Sequence, residues 1–492
     1  MRKSPHFCLL LTALTLVVAC VAATTSSNRN AGSFALQDCQ LSAPGVTSRH
    51  AAKCGTLTVF EDRSARSGRQ IDLRIAVLPA TGDAVAPDPL FLLADGPGQA
   101  ATEAFLPVLS AFERINHKRD IVLVDQRGTG KSHALRCPQS PQDLATLPDD
   151  QLAVELRTCL SQLDADPRLY TTSIAMDDLD QVRSALGYDR VNLYGASYGT
   201  RAALTYLRQH PASVRTAILD GIVPQDWLLG PSAARDAQRA LDLIWDRCEA
   251  EPACRATFSN IRTEFETLLA TLERQPVQVT VAHPVTGVPT EVTLTRRQVA
   301  SAIRSLSYRS ENTALLPLLV HATQRSGDYS RLAAQYLILN DDFQQGTSNG
   351  MNFSVLCAED AAFLAQDAGS PKVRTYLDDL TADFRRVCAA WPRGQVSADF
   401  RQPVMSETPM LLLSGEADPV TPPANGDQAA RTLSKSLHLV APGQGHRVIS
   451  QGCIPKIAAA FVERATVKGL ESDCVKDIRP APFFVSFAGP DS

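Results

Sequence analysis

The chain has 492 residues, of which 44% are hydrophobic and 20% are charged, and its formal net charge is -4. This is the composition of a globular protein that is long enough for more than one structural unit. The small acidic charge gives no electrostatic reason to expect a nucleic-acid partner.

The first residues have the layout of a secretory signal peptide. Arg2 and Lys3 precede an apolar run over residues 7–19, and small residues follow. Because the run is too short to span a membrane, we predict a signal peptide over residues 1–23 and export to the periplasm. The stretch ending at Cys20 also resembles a bacterial lipobox, which would attach the protein to a membrane through a lipidated Cys20. Cleavage after Ala23 is the alternative.

Cysteine usage agrees with export. Cys8 and Cys20 fall in the signal, which leaves ten cysteines in the mature chain, and none of them forms a Cys-x-x-Cys pair. We therefore expect disulfides, and we expect neither a metal site nor a cofactor. Spacing leaves several connectivities open. Pairing of nearest neighbours predicts five bonds: Cys39 with Cys54, Cys137 with Cys159, Cys248 with Cys254, Cys357 with Cys388, and Cys453 with Cys474.

Short apolar runs alternate with helical patterns through much of the chain. Runs without polar alternation are typical of strands buried on both faces of a parallel sheet. They occupy residues 90–93, 121–124, 191–194, 217–219, 410–413 and 436–440. A helix with Ala175, Leu179, Val182 and Leu186 on one stripe precedes the third run, with Ser173 placed to cap its start and Gly187 to end it. The predicted fold class is α/β, with a mostly parallel central sheet.

The alternation of strand and helix patterns is interrupted in the middle of the chain. Between residues 225 and 402 helical segments accumulate, with one hairpin near Gly287. We interpret residues 36–224 as the first part of an α/β core, 225–402 as an inserted, mainly helical cap, and 403–492 as the second part of the core.

The turn after the third run carries the strongest chemical signal. Residues 195–199 read Gly-Ala-Ser-Tyr-Gly, between a strand and a helix. This is the pattern of a nucleophile elbow, in which a sharp turn exposes the serine and leaves room only for glycines beside it. Ser197 is the predicted nucleophile.

A serine nucleophile needs a base and an acid that orients the base. Asp418 follows the run 410–413, and His446 follows the run 436–440 in a glycine-containing loop. The chain order Ser, Asp, His is the one expected of α/β-hydrolases. We predict Asp418 as the acid and His446 as the base; Asp220, which also follows a strand, is the rival acid.

Backbone donors are also needed for the oxyanion that forms during acyl transfer. The N–H of Tyr198, directly after the nucleophile, is one candidate. Gly96 is the other, in a glycine- and proline-containing turn after the run 90–93, and Gly98 is its alternative.

Five segments together resemble the prolyl and tripeptidyl aminopeptidase family of α/β-hydrolases. They are Gly-Pro-Gly at 96–98, Asp-Gln-Arg-Gly-Thr-Gly-Lys-Ser at 125–132, the elbow with residues 200 and 201, Ser-Gly-Glu-Ala-Asp-Pro at 414–419, and Gly-His at 445–446. Relatives usually have His-Gly before the Gly-Pro-Gly, where this chain has Ala94 and Asp95. The resemblance implies a helical cap over the serine, removal of residues from peptide amino termini, and cap carboxylates that hold the substrate ammonium. The candidates for those carboxylates are Glu359 and Asp360.

These observations predict an exported serine hydrolase, most simply an aminopeptidase whose partner is its peptide substrate. An esterase or lipase acting on small acyl esters is the alternative, because the same triad serves both leaving groups. A catalytically silent binding protein on the same fold is a third hypothesis.

Overall fold

A nine-stranded sheet forms the centre of the computed structural model, which describes residues 35–138, 144, 147–367, 375–377 and 380–490. The predicted signal peptide and Cys20 lie outside these residues. In chain order, the strands of the sheet are β1 (Gln37–Leu41), β2 (His50–Phe60), β3 (Gln70–Leu78), β4 (Leu90–Leu93), β5 (Ile121–Val124), β6 (Val191–Ala196), β7 (Val214–Asp220), β10 (Met410–Gly415) and β11 (Ser436–Ala441); β8 (Val277–Ala282) and β9 (Pro289–Leu294) form a separate hairpin.

The sheet is mostly parallel. Its strand order is β1-β2-β3-β5-β4-β6-β7-β10-β11, and all neighbours from β5 to β11 run parallel. Strands β4, β5, β6 and β10 are buried along their whole length, as expected for strands covered by helices on both faces. The sequence patterns did not predict β1, β2 and β3, which form an antiparallel edge.

Helices follow the strands and fill the middle of the chain. In chain order they are α1 (Ala101–Ala104), α2 (Glu113–Asn116), α3 (Asp149–Gln162), α4 (Thr172–Ala185), α5 (Tyr198–Gln209), α6 (Pro231–Ala250), α7 (Pro252–Thr257), α8 (Ile261–Arg274), α9 (Arg296–Leu306), α10 (Ser310–Thr313), α11 (Leu316–Ser326), α12 (Ser330–Gly346), α13 (Asn349–Glu359), α14 (Leu380–Ala390), α15 (Pro423–Ala430) and α16 (Ile454–Arg464). The described part of residues 225–402, interpreted above as the cap, contains α6–α14 and the β8–β9 hairpin.

The helix before the elbow begins slightly earlier than its pattern suggests. The side chain of Thr171 accepts a hydrogen bond from the N–H of Ile174 and caps α4. The prediction that Ser173 caps this helix is therefore wrong, because Ser173 already lies inside the first turn. Gly187 follows the helix with φ 81°, as a helix-ending glycine does.

Two hydrophobic clusters support the two regions. One packs β4, β5 and β6 against α16 and the segment 105–112, with Phe105, Phe112 and Tyr194 in edge-to-face contact. The other joins α6, α8, α9 and α11 around Trp245 and Phe265. The region interpreted as the cap thus has apolar packing of its own.

Five disulfides close local loops, and the predicted nearest-neighbour pairing is confirmed for each of them. The bonds join Cys39 to Cys54, Cys137 to Cys159, Cys248 to Cys254, Cys357 to Cys388, and Cys453 to Cys474. Structural disulfides in this number are typical of proteins that fold in an oxidising compartment. Among the described residues, no helix is both long enough and apolar enough to span a membrane.

Candidate active site

Ser197 is the single residue between β6 and α5. Its φ of 50° and ψ of -121° place it in a region that side-chain-bearing residues rarely adopt. A Cβ added to Gly195 would lie 2.2 Å from the carbonyl oxygen of Gly199, and one added to Gly199 would lie 2.3 Å from that of Leu93. Both glycines are therefore sterically required, and the turn presents a half-buried Ser197 at the carboxyl end of the sheet.

Asp418 and His446 meet at the same edge of the sheet, each in the loop after a strand. Oδ2 of Asp418 lies 2.7 Å from Nδ1 of His446. Its Oδ1 accepts the backbone N–H groups of Val420 and Thr421 at 2.8 and 2.9 Å. Two backbone donors thus fix the carboxylate so that its other oxygen faces the imidazole.

The charges of this pair reinforce one another. Burial works to raise the pKa of Asp418, but the neighbouring His446 and the hydrogen bonds to Asp418 lower it below its ordinary value. Burial works to lower the pKa of His446, but the charges of Asp418 and Asp95 and the bond to Asp418 outweigh this, so the pKa is raised. The site therefore stabilises the imidazolium that forms once His446 has accepted a proton, which is what makes it an effective base in a triad.

Asp220, the rival acid, has a different task. Its carboxylate accepts the backbone N–H groups of Val448 and Ile449, and it also accepts the hydroxyl of Tyr194 at 3.0 Å. Burial raises its pKa to about 6. Asp220 therefore anchors the backbone that follows His446, whereas Asp418 bonds to the imidazole.

Ser197 and His446 both lie next to the Asp220–Gly221 peptide, but no hydrogen bond joins their side chains. The N–H of Ser197 donates to the carbonyl oxygen of Asp220 at 2.9 Å, and a Cβ added to Gly221 would lie 3.0 Å from Cε1 of His446. In the described part of the chain, the Ser197 hydroxyl has no hydrogen-bond partner. Catalytic hydrogen bonds often tighten only when substrate is bound, so the arrangement is that of a resting site.

The two predicted oxyanion donors are occupied by other groups. The N–H of Tyr198 donates to the carbonyl oxygen of Asp95 at 2.8 Å. The N–H of Gly96 donates to Oε1 of Gln99 at 2.9 Å. The prediction of an oxyanion hole formed by these two groups is therefore not realised in this arrangement, because the loop supplies its own acceptors.

The loop that carries Gly96 is a tight turn braced by the cap region. The N–H of Gln99 donates to the carbonyl oxygen of Gly96 at 3.1 Å, with Pro97 second and Gly98 third at φ 101°, as in a type II turn. The carbonyl oxygen of Gly98 accepts the N–H of Ser348 at 2.8 Å, directly before α13. A Cβ on Gly98 would lie 2.6 Å from the Ser348 carbonyl oxygen, so glycine is required there too.

The predicted ammonium-binding residues Glu359 and Asp360 do not face an open cleft. Glu359 is fully buried, and its two oxygens accept the N–H and the hydroxyl of Thr172 at 2.7 and 2.9 Å. Asp360 bonds to the guanidinium of Arg201 at 3.0 Å. Burial raises the pKa of Glu359 to about 7. In this arrangement the oxygens and charges of both residues are engaged within the protein, and their binding of a substrate ammonium stays a prediction.

Asp125 and Arg127 brace the loops around the site. Asp125 is buried and accepts the backbone N–H groups of Thr102 and Lys131. The fully buried guanidinium of Arg127 forms two bonds to Asp178, at 2.6 and 2.9 Å. Both residues therefore have a structural role around the site.

Tyr308, between α9 and α10, contacts the catalytic histidine and carries no sequence motif that points to the site. Its carbonyl oxygen accepts the N–H of His446 at 2.7 Å, and the two rings meet edge to face at 5.2 Å. A Cβ added to Gly445 would lie 2.5 Å from the same carbonyl oxygen. In the sequence, Gly445 was the available signal, because a glycine before His446 indicates that another segment packs closely against the backbone there.

A cavity of about 120 Å³ lies against His446 and Tyr308. Arg309 and Glu311 also line it, and both are exposed. Within the described residues, neither side chain forms an ion pair or a hydrogen bond. The cavity therefore offers one free cation and one free carboxylate next to the catalytic base.

Two family models match two separate segments of the chain. The model described as alpha/beta hydrolase fold matches residues 92–253, which include Ser197. The model described as TAP-like protein matches residues 371–474, which include Asp418 and His446. The matches agree with the mostly parallel sheet and with the resemblance that the sequence motifs indicated.

Curated relatives match over most of the chain. The protein named serine protease Hip1 from Mycobacterium tuberculosis (strain H37Rv) is 25% identical over 484 residues, which cover 89% of this chain and 90% of that one. Carboxylesterase B from the same strain is 26% identical and covers 82% of each chain. Among solved structures, proline iminopeptidase from Mycobacterium smegmatis is similar with a TM-score of 0.37, 14% identity and coverage of 83% of this chain and 98% of that one.

Proposed function

We propose that this chain, a serine hydrolase with the α/β-hydrolase fold, is an exported aminopeptidase that releases residues or short peptides from peptide amino termini. In this proposal Ser197 attacks the carbonyl carbon of the scissile bond while His446 accepts the hydroxyl proton. Asp418 stabilises the resulting imidazolium.

The remaining steps use the same groups. His446 returns the proton to the leaving amine, and an acyl-enzyme on Ser197 remains. A water molecule then gives a proton to His446 and attacks the acyl group, which frees the carboxylate product and restores the serine hydroxyl. The short Asp418–His446 contact, at 2.7 Å, supports the assignment of base and acid.

The contact of the cap region with both catalytic loops carries the proposal of end-specific cleavage. Tyr308 bonds to the backbone of His446 at 2.7 Å, and Ser348 bonds to Gly98 of the opposite loop at 2.8 Å. Asn352 of α13 donates to the carbonyl oxygen of Pro97 at 3.0 Å. A long polypeptide lying through the site would have to displace these contacts, whereas the end of a short peptide would not.

Recognition of the substrate ammonium then needs a carboxylate that is free. Glu311 meets this need, because it lines the cavity beside His446 and has no partner among the described residues. We assign to Glu311 the role that the sequence suggested for Glu359 and Asp360. Arg309, in the same cavity, would hold a peptide carboxylate.

A substrate panel tests the proposal. Short peptide amides with a free amino terminus should be cleaved, and the same peptides with an acetylated amino terminus should lose at least tenfold in kcat/KM. Glu311→Gln should reduce the preference for the free amine, whereas Arg309→Gln, a matched loss of charge in the same cavity, should leave that preference in place. Equal cleavage of free and blocked peptides would refute the aminopeptidase.

Ser197→Ala tests the nucleophile itself. Loss of the hydroxyl should lower kcat by on the order of 10^4 or more, by comparison with other triad deletions. A fluorophosphonate probe should label the parent protein and not the variant. Retained peptide cleavage in the variant would contradict the mechanism.

Hydrolysis of small acyl esters is the second candidate. The relative named carboxylesterase B, at 26% identity over 82% of the chain, favours it. The triad alone does not separate the two activities, because ester and amide cleavage pass through similar intermediates. Higher kcat/KM for short-chain acyl esters than for any free-amine peptide would favour the esterase.

Export is part of the proposal, and the five disulfides support it. Fractionation should place the protein in the periplasm or on a membrane facing it. The mass of the mature amino terminus distinguishes a lipidated Cys20 from cleavage after Ala23. Recovery of full-length chain in the cytoplasm with reduced cysteines would contradict export.

A further inference from the structure

The arrangement around the Asp95–Gly96 peptide is opposite to what the chemistry needs. An oxyanion needs N–H donors. The N–H of Tyr198, however, already donates a hydrogen bond to the carbonyl oxygen of Asp95 at 2.8 Å. A carbonyl oxygen at that position carries partial negative charge and would repel a developing oxyanion. The peptide must therefore leave this position before Ser197 can react with stabilisation from Tyr198.

A rotation of this one peptide exchanges the groups. Turning the plane between Asp95 and Gly96 by about 180° moves the Asp95 carbonyl oxygen away and brings the Gly96 N–H to the same side. The N–H groups of Gly96 and Tyr198 would then face one position together. The turn over residues 96–99 does not need to change, because its bond joins the Gly96 carbonyl oxygen to the Gln99 N–H at 3.1 Å.

Gln99 opposes this rotation. Its Oε1 accepts the Gly96 N–H at 2.9 Å, and that bond breaks when the peptide turns. The Asp95 side chain is fixed separately, because its Oδ2 bonds to Arg447 at 2.8 Å and both side chains are 18% exposed. The Asp95 side chain and the turn over residues 96–99 are both held in place, so the motion is confined to the peptide between Asp95 and Gly96.

Glycine at position 96 is compatible with both orientations of the Asp95–Gly96 peptide, before and after the rotation. In the present arrangement the φ of Gly96 is not positive, so a residue with a side chain could adopt it. The three heavy atoms nearest to a Cβ there all belong to the flexible side chain of Gln99, with Cδ at 3.3 Å, so a small shift of that side chain accommodates it. After the rotation φ changes sign and enters the region that glycine tolerates and other residues avoid.

We propose that the Asp95–Gly96 peptide has two positions, closed as in this structure and rotated for catalysis, and that Gln99 is a positioning residue that holds the closed one. The inference rests on the proposed function, since it concerns the oxyanion hole of the same Ser197. The rotated peptide stabilises the tetrahedral intermediate through Gly96 and Tyr198. Substrate binding drives the rotation by favouring the state with two donors.

Substitutions at two positions separate the closed state from the rotated one. Gly96→Ala fits the closed state and disfavours the rotated one, so kcat should fall about tenfold with little change in KM or in melting temperature. Gly346→Ala is the matched control, because nothing lies within 4 Å of the added Cβ and φ is not positive. That control should keep the parent kcat.

Gln99 should respond in both directions. Gln99→Leu removes the acceptor for the Gly96 N–H and should raise kcat about three- to tenfold, the range expected from one hydrogen bond. Gln99→Glu keeps an acceptor, strengthens it with charge, and should lower kcat. A residue that merely stabilised the fold would lower kcat in both variants, together with the melting temperature.

Crystal structures of the free protein and of its diethylphosphoryl adduct on Ser197 provide the direct test. The free protein should keep Asp95 bonded to Tyr198, and in the adduct the phosphoryl oxygen should accept from Gly96 and Tyr198. An adduct that keeps the Asp95 contact, a free protein with both donors open, or Gly96→Ala with the parent kcat would overturn the inference. Failure of the proposed function is distinguishable. If the chain is an esterase, the preference for a free amino terminus is absent but the adduct still tests the peptide, and if it is no serine hydrolase, the parent protein neither labels with the probe nor cleaves any substrate.

Discussion

Replacement of Asp418 by Asn should inactivate the enzyme while leaving its fold intact. The backbone N–H groups of Val420 and Thr421 hold one carboxylate oxygen at 2.8 and 2.9 Å. An Asn side chain keeps its carbonyl oxygen on those donors, so its NH2 group must face Nδ1 of His446. The histidine then carries its proton on Nε2, the atom that has to accept the proton of Ser197.

The size of the loss in kcat follows from this unproductive tautomer of His446. In other triads the same change lowers kcat by about 10^4, which corresponds to about 5 kcal/mol of transition-state stabilisation. The pH profile should move as well. The pKa of His446 is raised largely by the charge of Asp418, so the rise of activity with pH, as the imidazole loses its proton, occurs above the ordinary histidine pKa. Without that charge, residual activity should rise at lower pH.

Hydrolysis of a chromogenic substrate between pH 5 and 9 measures both effects. Asp220→Asn is the matched control, because Asp220 is buried nearby but bonds to backbone N–H groups after His446. It should lower stability and reduce kcat by less than about 100-fold, without moving the pH profile as Asp418→Asn does. The reasoning is refuted if Asp418→Asn keeps a tenth of the parent kcat, or if Asp220→Asn is the variant that shifts the profile.

Three further predictions concern stability. The pKa of Glu359 is raised to about 7 by burial, above its value in the unfolded chain, so its ionisation opposes folding and stability falls by on the order of 3 kcal/mol as pH rises from about 4.5 to 7. Glu359→Gln should lose less stability than the parent between pH 5 and 8 in thermal melts, and equal losses would contradict this. Gly199→Ala should prevent folding into soluble protein, because the new Cβ would lie 2.3 Å from the Leu93 carbonyl oxygen; recovery of soluble, active variant would show that the elbow can relax. Arg127→Met leaves the buried Asp178 without its main partner and should cost about 3 kcal/mol in urea unfolding, whereas a cost below about 1 kcal/mol would show that the pair is replaceable.

The catalytic residues could be predicted because each follows a strand of the sheet, and the strands before Ser197 and Asp418 are fully buried. Runs such as 191–194 and 410–413 are apolar on both faces, and the polar residues after them must lie at one edge of a parallel sheet. Ser197, Asp418 and His446 occupy that edge. The antiparallel strands β2 and β3 gave weaker signals, because one face is exposed and polar residues interrupt the apolar pattern.

Contacts between distant segments could not be read from residue types. Glu359 was chosen for its carboxylate, but Arg201, 158 positions earlier, lies beside it and Asp360. The donors at Gly96 and Tyr198 were identified by their place in the turns, yet the orientation of a peptide plane depends on which acceptors surround it. The acceptor on Gly96 is a side chain only three positions away, and nothing in the local sequence distinguishes its two states.

Asp95, at the position where relatives usually have glycine, ties the oxyanion loop to the histidine loop through Arg447, the residue after His446. Its charge also contributes to the raised pKa of His446. Rotation of the Asp95–Gly96 peptide changes the backbone next to Asp95 and therefore loads the ion pair between Asp95 and Arg447. The effects of Asp95→Asn and Gln99→Leu on kcat should consequently not be additive. Residues that share one motion typically couple by about 0.5–3 kcal/mol, so a double-mutant cycle should give a coupling in this range. Additivity within about 0.3 kcal/mol would mean that the side chain of Asp95 acts on His446 alone, and that the two loops of the active site respond to substrate independently.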